Sequence, residues 1–539
     1  MARSKKEPPV LLEDILWNCR VALRGIGSTE KNRDAVISLV FLKFAEDKFQ
    51  TRRTELIAEH GNSAPFLDMV SFYTAQNVFY LTETARWSYI VKNASANDIA
   101  VIIDKAMADI EKDNAPLNGA LPQNLFSTLG AEKSRIKNLI DNVNKLNPQN
   151  FKEEDLVGRV YEYFLQTYAA SGTKEDGEFY TPACVVKLIA ELIEPYKGVV
   201  YDPCCGSGGM FVQSLKFVDS HKGNKQEISI VGQESKSDTW RLCKMNLAIR
   251  GIAHQLGIMP ASTFTNDLHK GRKVDYVMAN PPFNLKDWRG NDELTDDPRF
   301  IRAGFSIMPP VANANYAWIL HILSKLDPSH GVAGFLLANG ALNADDVEYT
   351  LRKEILTRDV VEAIIVLPRD MFYTTDISVT LWILRMNKQA GILNGRKLRD
   401  RTGKILFMDL RRWDSQSEEI VIDKGKKKKK TVLIDEQIAR VKEIYFAWQS
   451  ENRADYFDVP ELCRSATLTE IREKDYSLAP SNYIEFVDHD LEIDYPAEMM
   501  RIQSEMRELL ALEKNAQKLL TAAFSGIGYN IEGHVEELS

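Results

Sequence analysis

The chain has 539 residues, and 68 Lys and Arg against 76 Asp and Glu leave a net charge of −8. With 44% hydrophobic and 27% charged residues, the composition is that of a globular protein, which excludes wholesale disorder, a collagen-like rod and a disulfide scaffold. A chain that grips DNA unaided is more often basic, so a nucleic-acid substrate here implies local basic patches or a basic partner. The six cysteines, Cys19, Cys184, Cys204, Cys205, Cys243 and Cys463, are not at metal-ligand spacing and read as reduced thiols. The opening MARSKKEPPV has no apolar segment of a secretory signal. No run reaches the roughly 18 apolar residues of a membrane helix. The nearest, GVAGFLLANGAL (331–342), reads better as a buried strand and loop. The cytoplasm is the expected location.

Residues 10–150 read as helical. In LEDILWNCRVALRG and AVISLVFLKFAEDKFQTRRTELI apolar residues recur every three or four positions. LNPQN (146–150) punctuates the block, and EDLVGRVYEYFLQTYA is again an amphipathic helix. After Gly198 short apolar runs alternate with helical stretches. VVYD (199–202), ISIVGQE (228–234), DYVMAN (275–280), VAGFLLA (332–338), VVEAIIVL (360–367) and ISVTLWILR (377–385) read as strands. That alternation predicts an α/β layer with a mostly parallel sheet. The short connection LPRDMFYTTD places the last of these strands as an antiparallel partner at an edge. KILFMDLRR (404–412) adds a possible strand. The lysine run Lys424–Lys430 reads as a solvated loop or hairpin tip, with a phosphate-contacting loop as the sharper alternative. IDEQIARVKEIYFAWQ and the long PAEMMRIQSEMRELLALEKNAQKLLTAAF read as helices. The Met- and Leu-rich face of the second suits a partner or its own domain.

Four motifs carry chemistry. DPCCGSGGM (202–210) places Asp202 at a strand end, then a turn with Gly206, Ser207, Gly208 and Gly209 leading into a helix. Such a turn lets a ligand approach the backbone and meet helix N–H groups, although the dinucleotide fingerprint is not met. Glu234 ends the next strand, where an acid can accept hydrogen bonds from both hydroxyls of a ribose. Asn280-Pro281-Pro282-Phe283 follows the DYVMAN strand. The prolines end the ladder and stiffen the turn. The Asn280 and Pro281 carbonyls can then take both hydrogens of an exocyclic amine, with Phe283 offering a face to an extruded base. In GEFYTP (177–182), Thr181 reads as a helix N-cap and Pro182 as its first residue.

The order EFYTP, DPCCGSGG, GQE, NPPF resembles an amino-methyltransferase acting on adenine N6 in DNA. The helical block with FLKFAEDKF (41–49) and the helical tail are similar to the modification subunit of type I restriction-modification systems. The resemblance implies a seven-stranded class I methyltransferase domain over 151–412. It adds an N-terminal helical domain over 1–150 and a C-terminal region with partner-binding helices over 413–539. It implies that Glu178, Phe179, Tyr180, Thr181, Pro182, Ala183, Asp202, Gly206–Gly209, Glu234 and Asn280 contact S-adenosylmethionine or the target amine. Asp267 would bond the cofactor's adenine amine, and Asn280, Pro281, Pro282 and Phe283 would form the catalytic turn. No metal is required. The implied partners are double-stranded DNA, a specificity subunit, a second copy of this chain and, in some systems, a restriction nuclease subunit.

Cys204 and Cys205 stand where the family usually has a small pair. Pro203-Cys204 resembles the nucleophile of cytosine-5 enzymes but sits in the cofactor loop, so no covalent intermediate is needed. Methylation of a protein glutamine, of cytosine N4, and a non-catalytic scaffold are the rival readings. The long helical flanks, the NPPF turn and the intact motifs weigh against them respectively.

Overall fold

The computed structural model describes residues 12–62, 65–147, 156–171, 181–372, 376–413, 416–423, 426–487, 495–526 and 528. Its contacts divide the chain into two units, Met1–Ile484 and Glu485–Ser539.

The first unit begins with helices Leu12–Ala22, Thr29–His60, Ile99–Asp113 and Lys133–Val143, joined by shorter turns. Thr29–His60 is the axis of this block: every residue from Ala35 to Glu46 is buried. A helix that is apolar almost all round must be packed on every side. Two buried acids of the block, Glu46 on this helix and Asp104 on Ile99–Asp113, are well satisfied. Glu46 accepts the Ser88 N–H at 2.6 Å and the Ser88 hydroxyl at 2.8 Å. Asp104 takes the Phe126 and Ser127 N–H groups, both at 2.9 Å. Both acids thus meet orphan N–H groups at helix starts. The apolar core of the block continues into Leu242, Met245, Ala248 and Ile249 of helix Ser237–Ile249, joining it to the α/β part.

Thirteen strands follow among the described residues: β1 (Gly198–Asp202), β2 (Ile228–Gly232), β3 (His254–Gln255), β4 (Tyr276–Ala279), β5 (Val332–Ala338), β6 (Val361–Val366), β7 (Val379–Arg385), β8 (Gly391–Leu393), β9 (Arg396–Leu398), β10 (Lys404–Asp409), β11 (Gln416–Asp423), β12 (Lys426–Val432) and β13 (Cys463–Thr467). Nine of them form one sheet in the order β13-β10-β6-β7-β5-β4-β1-β2-β3. The seven from β3 to β6 form the doubly wound α/β sheet that the alternation implied. β7 is antiparallel, but it runs between β5 and β6 and is not an edge strand. The short connection required only that it pair with β6. All seven of its residues are buried, as a central strand demands. β10 runs parallel to β6, and β13 adds antiparallel to β10.

Helices Ala183–Ile193, Gly209–Ser220 and Asp435–Gln449 cover one face of the sheet. Helices Asn315–Lys325 and Asp346–Thr357 cover the other. The lysine run enters the β11–β12 hairpin as its second strand, Lys426–Val432, while residues 424–425 lie outside the described residues. The second unit contains the helix Tyr495–Gly526, none of whose residues is buried. Among the described residues no helix is long and apolar enough to cross a membrane.

Candidate active site

The parallel strands β1, β2 and β4 end at one edge, and three motifs meet there. Asp202 closes β1 and is buried. Its carboxylate accepts the Cys204 N–H at 3.0 Å. Burial pushes this carboxyl up to about 7, against the pull of the Cys204 N–H and thiol, and the nearby Glu234 charge adds to the rise. Burial holds the Cys204 thiol well above its ordinary value, and the Asp202 and Glu234 charges add to the rise.

Gly206 (φ +53°) and Gly208 (φ +85°) take left-handed backbone that other residues adopt only at a cost. A Cβ at Gly208 would meet Cys243 Sγ at 2.9 Å, whereas at Gly206 and Gly209 it would meet nothing within 4 Å. The turn is thus closed toward the helix behind it and open beside Gly206. Three bonds hold it against the end of β2: Cys205 N–H to Gln233 O at 2.9 Å, Gln233 N–H to Asp202 O at 3.0 Å and Gly206 N–H to Glu234 Oε2 at 3.1 Å.

Glu234 Oε1 also accepts the Ser235 and Lys236 N–H groups, at 2.7 and 2.9 Å. Oε2 takes only the Gly206 N–H among the described residues and so keeps acceptor capacity for a ligand hydroxyl. Burial raises the Glu234 pKa, and the four hydrogen bonds offset that only in part.

Asn280 follows β4. Its Nδ2 donates to Thr181 Oγ1 at 2.9 Å. Its Oδ1 is buried and has no hydrogen-bond partner among the described residues. Buried polar atoms are rarely left so, because the lost solvation costs about 1–3 kcal/mol. An orphaned acceptor beside a stiff Pro-Pro turn fits a ligand that donates an N–H. Phe283 is half-buried, with the Phe372 ring edge-on at 6.1 Å and 82°. The next residue, Asn284, has φ +53° and is pinned to Asn315 by a pair of bonds at 3.1 and 2.8 Å.

One sequence expectation is corrected here, and a second residue is found engaged within the chain. Thr181 does not cap a helix. Helix Ala183–Ile193 starts after Pro182, whose ψ of 137° is extended, and no side chain caps it. The Thr181 hydroxyl is spent on Asn280 instead. The Asp267 carboxylate is already bonded within the chain. Its Oδ2 accepts the Lys325 ammonium at 2.6 Å and its Oδ1 the His269 N–H at 2.9 Å. It lines a separate cavity of about 580 Å³ with Arg299 and Lys325. Residues 261–263 border the Glu234 edge in its place: the Ala261 N–H bonds Glu234 O at 2.9 Å, and the Thr263 hydroxyl bonds Pro203 O. Glu178, Phe179 and Tyr180 lie outside the described residues.

Some supporting residues carry no motif signal. Gln233 is fully buried and holds Ala261 O at 3.0 Å, Asn266 O at 2.7 Å and the Leu268 N–H at 3.0 Å. Asn246 holds Ser207 O at 2.7 Å. Only the position of Gln233 beside Glu234 hinted at its role.

The N-6 DNA methylase family matches residues 152–490, and the HsdM N-terminal domain matches residues 12–145. The chain belongs to the N-6 DNA methylase family. It is 34% identical to the HindI type I restriction enzyme methylase subunit of Haemophilus influenzae, over 80% of this chain and 93% of that one. It is 30% identical to the MjaIX methylase subunit of Methanocaldococcus jannaschii, over 96% of this chain and 91% of that one. The fold is similar to that of a type I methyltransferase subunit from Streptococcus thermophilus, with a TM-score of 0.71 and 21% identity over 87% of this chain and 98% of that one. As a member of this family the chain is an adenine-N6 DNA methyltransferase, the modification subunit of a type I restriction enzyme.

Proposed function

We propose that the chain methylates adenine N6 at this edge using S-adenosylmethionine, in a complex with a specificity subunit and a second copy of itself. A restriction nuclease subunit joins where the system has one, and the complex acts in the cytoplasm. The observation that carries this reading is Asn280, whose amide nitrogen is held by Thr181 while its buried oxygen is left for a donor.

Glu234, Asp202, the Gly206–Gly209 turn and the start of helix Ala183–Ile193 would hold the cofactor. Glu234 Oε2 offers an acceptor to the ribose, and the open side of Gly206 leaves room beside it. When bound, the cofactor supplies a methyl group on a cationic sulfur. Adenine N6 is buried in the stack, so the base must leave the duplex, and Phe283 offers it a face. The Asn280 side-chain carbonyl and the Pro281 backbone carbonyl accept the two amine hydrogens. They draw the nitrogen lone pair out of ring conjugation and orient it toward the methyl group. Phe372 keeps Phe283 from turning away.

The functional division is a helical block over 1–150, a catalytic domain that runs past the expected boundary at 412 to 484, because helix Asp435–Gln449 and β13 complete the layers of the sheet, and a partner-binding region beyond it. In helix Tyr495–Gly526, Met499, Ile502, Met506 and Leu509 recur at coiled-coil spacing, and all four are exposed. This face suits the specificity subunit.

The test is a paired measurement on Asn280→Ala. Single-turnover methylation of a cognate duplex should fall by about 10²–10³, while cofactor affinity changes much less. A variant that binds cofactor and methylates at nearly the original rate would refute this assignment.

A further inference from the structure

The lysine hairpin has no part in the chemistry above, yet it is built onto the same edge of the sheet. β4, β6 and β10 are mutually parallel, so all three end where NPPF sits. The hairpin 416–432 follows β10 and carries six lysines against three acids. It is tied to the β6–β7 connection by the Thr431 N–H on Asp370 O at 3.0 Å. Lys430 is spent as a second anchor: only 2% exposed, it pairs with Asp376 at 2.8 Å. That connection also carries Phe372, the ring against Phe283. The hairpin is therefore fixed relative to the base-holding turn.

Three cations remain at this edge. Lys286 follows the NPPF turn, Arg369 follows β6, and Lys429 precedes the buried anchor on β12. All three are exposed, and no hydrogen bond or ion pair to them is found among the described residues. Glu419 lies opposite Lys429 across the hairpin. Adjacent strands are about 4.8 Å apart. Three strand steps from β4 to β6 thus separate Lys286 from Arg369 by roughly 14 Å, and the hairpin anchors hold Lys429 beside the β6–β7 connection that carries Arg369. One DNA strand carries a phosphate about every 3.4 Å along the axis, so that span covers about four phosphates. A duplex that delivers a flipped base to Phe283 must lay its backbone along this edge.

We propose that Lys286, Arg369 and Lys429 form a phosphate track that grips the DNA backbone flanking the flipped base. It would be a local basic patch on a chain of net charge −8. The proposal rests on the methyltransferase reading above. Phosphate contacts position the duplex and carry no base readout.

The experiment uses the complex with the specificity subunit and compares it with K286A/R369A/K429A. The readout is the slope of log binding constant against log salt for cognate and unrelated duplexes. Each lost phosphate contact should make the slope shallower by about 0.9, so the triple variant should lose between two and three units. Its preference between the two duplexes should be unchanged, and K286R/R369K/K429R should keep the original slope. Single variants, each losing about one unit, decide the matter if the triple variant does not fold. An unchanged slope overturns the track, and so does a variant whose only defect is failure to assemble, since these cations would then face an acidic partner protein. Cofactor binding and methyl transfer by the unaltered complex are measured alongside. Their absence would refute the methyltransferase reading, whereas their presence with an unchanged slope refutes the track alone.

Discussion

Two fully buried carboxyl groups in the same sheet are driven in opposite directions. Glu362, on β6, lies among Arg385, Arg401, Tyr445 and Gln449. Arg385 and Arg401 both pair with it, and Tyr445 and Gln449 bond it at 3.0 and 3.1 Å. Burial alone would raise this carboxyl, but the two guanidinium groups outweigh it and bring it down to about 2. Asp202, on β1, is equally buried and faces no cation. It is raised to about 7 by burial. The distant flank neutralises its charge with its own residues, while the cofactor edge leaves acids and the Asn280 oxygen under-satisfied. Strongly perturbed groups gather where a ligand completes the environment, and the contrast marks which carboxyl group belongs to a site and which to the scaffold.

The largest effect should come from breaking the satisfied region. Glu362→Gln keeps the shape but leaves two buried guanidinium groups without a counter-charge. Removing one partner of a buried ion pair costs about 3–5 kcal/mol, so urea unfolding should show a loss of that order. A midpoint within about 0.5 kcal/mol of the original would show that the cluster is not an ion-pair hub.

The next effect sharpens the contrast through pH, with opposite signs. A depressed carboxyl stabilises the fold above its unfolded pKa and loses that contribution as pH falls toward the folded value. Glu362 should therefore be constant down to about pH 4.5 and weaken only between there and about 2. A raised carboxyl behaves the other way: the folded chain holds the Asp202 proton longer than the unfolded chain, so stability falls as pH rises from about 4 to about 7. Above 7 the contribution is level. Asp202→Asn removes that titration. The melting temperature of the ligand-free chain relative to this variant should fall from pH 5 to 7 and then flatten. A difference independent of pH would mean that Asp202 stays ionised throughout.

Legibility in the sequence follows the range of the interactions. The strand–helix alternation, the glycine turn and NPPF are local, and each was readable from a few adjacent residues. β13 was not: its CRSAT carries no strand period, and it becomes a strand by pairing with β10. The place of β7 between β5 and β6 is likewise a property of the sheet. At the site, Asp267 has the residue type a cofactor amine would want, but Lys325 lies 58 positions away and claims it. Thr181 reads as a cap because Ser and Thr cap helices so often. Its actual partner is 99 positions away. Acids at strand ends are visible one at a time, whereas their counter-ions are set by tertiary structure.

The smallest effect isolates that last contact. Asn280 can present its oxygen to the substrate only if its nitrogen is held, and the Thr181 hydroxyl is the group that holds it. Thr181→Val keeps the shape and removes the acceptor, leaving the amide free to turn over. One neutral hydrogen bond is worth about 0.5–1.5 kcal/mol net, so single-turnover methylation should slow by about three- to tenfold. Thr181 acts through Asn280 and is a positioning residue, so the KM for cofactor should hardly move and Thr181→Ser should restore the rate. A capping role predicts another pattern: Pro182 would be the first residue of the helix, and Thr181→Val would lower the melting temperature while leaving the methylation rate alone. Equal loss of rate in the Val and Ser variants would place the effect in packing of the methyl group, and the bond to Asn280 would then have no part in orienting the amide.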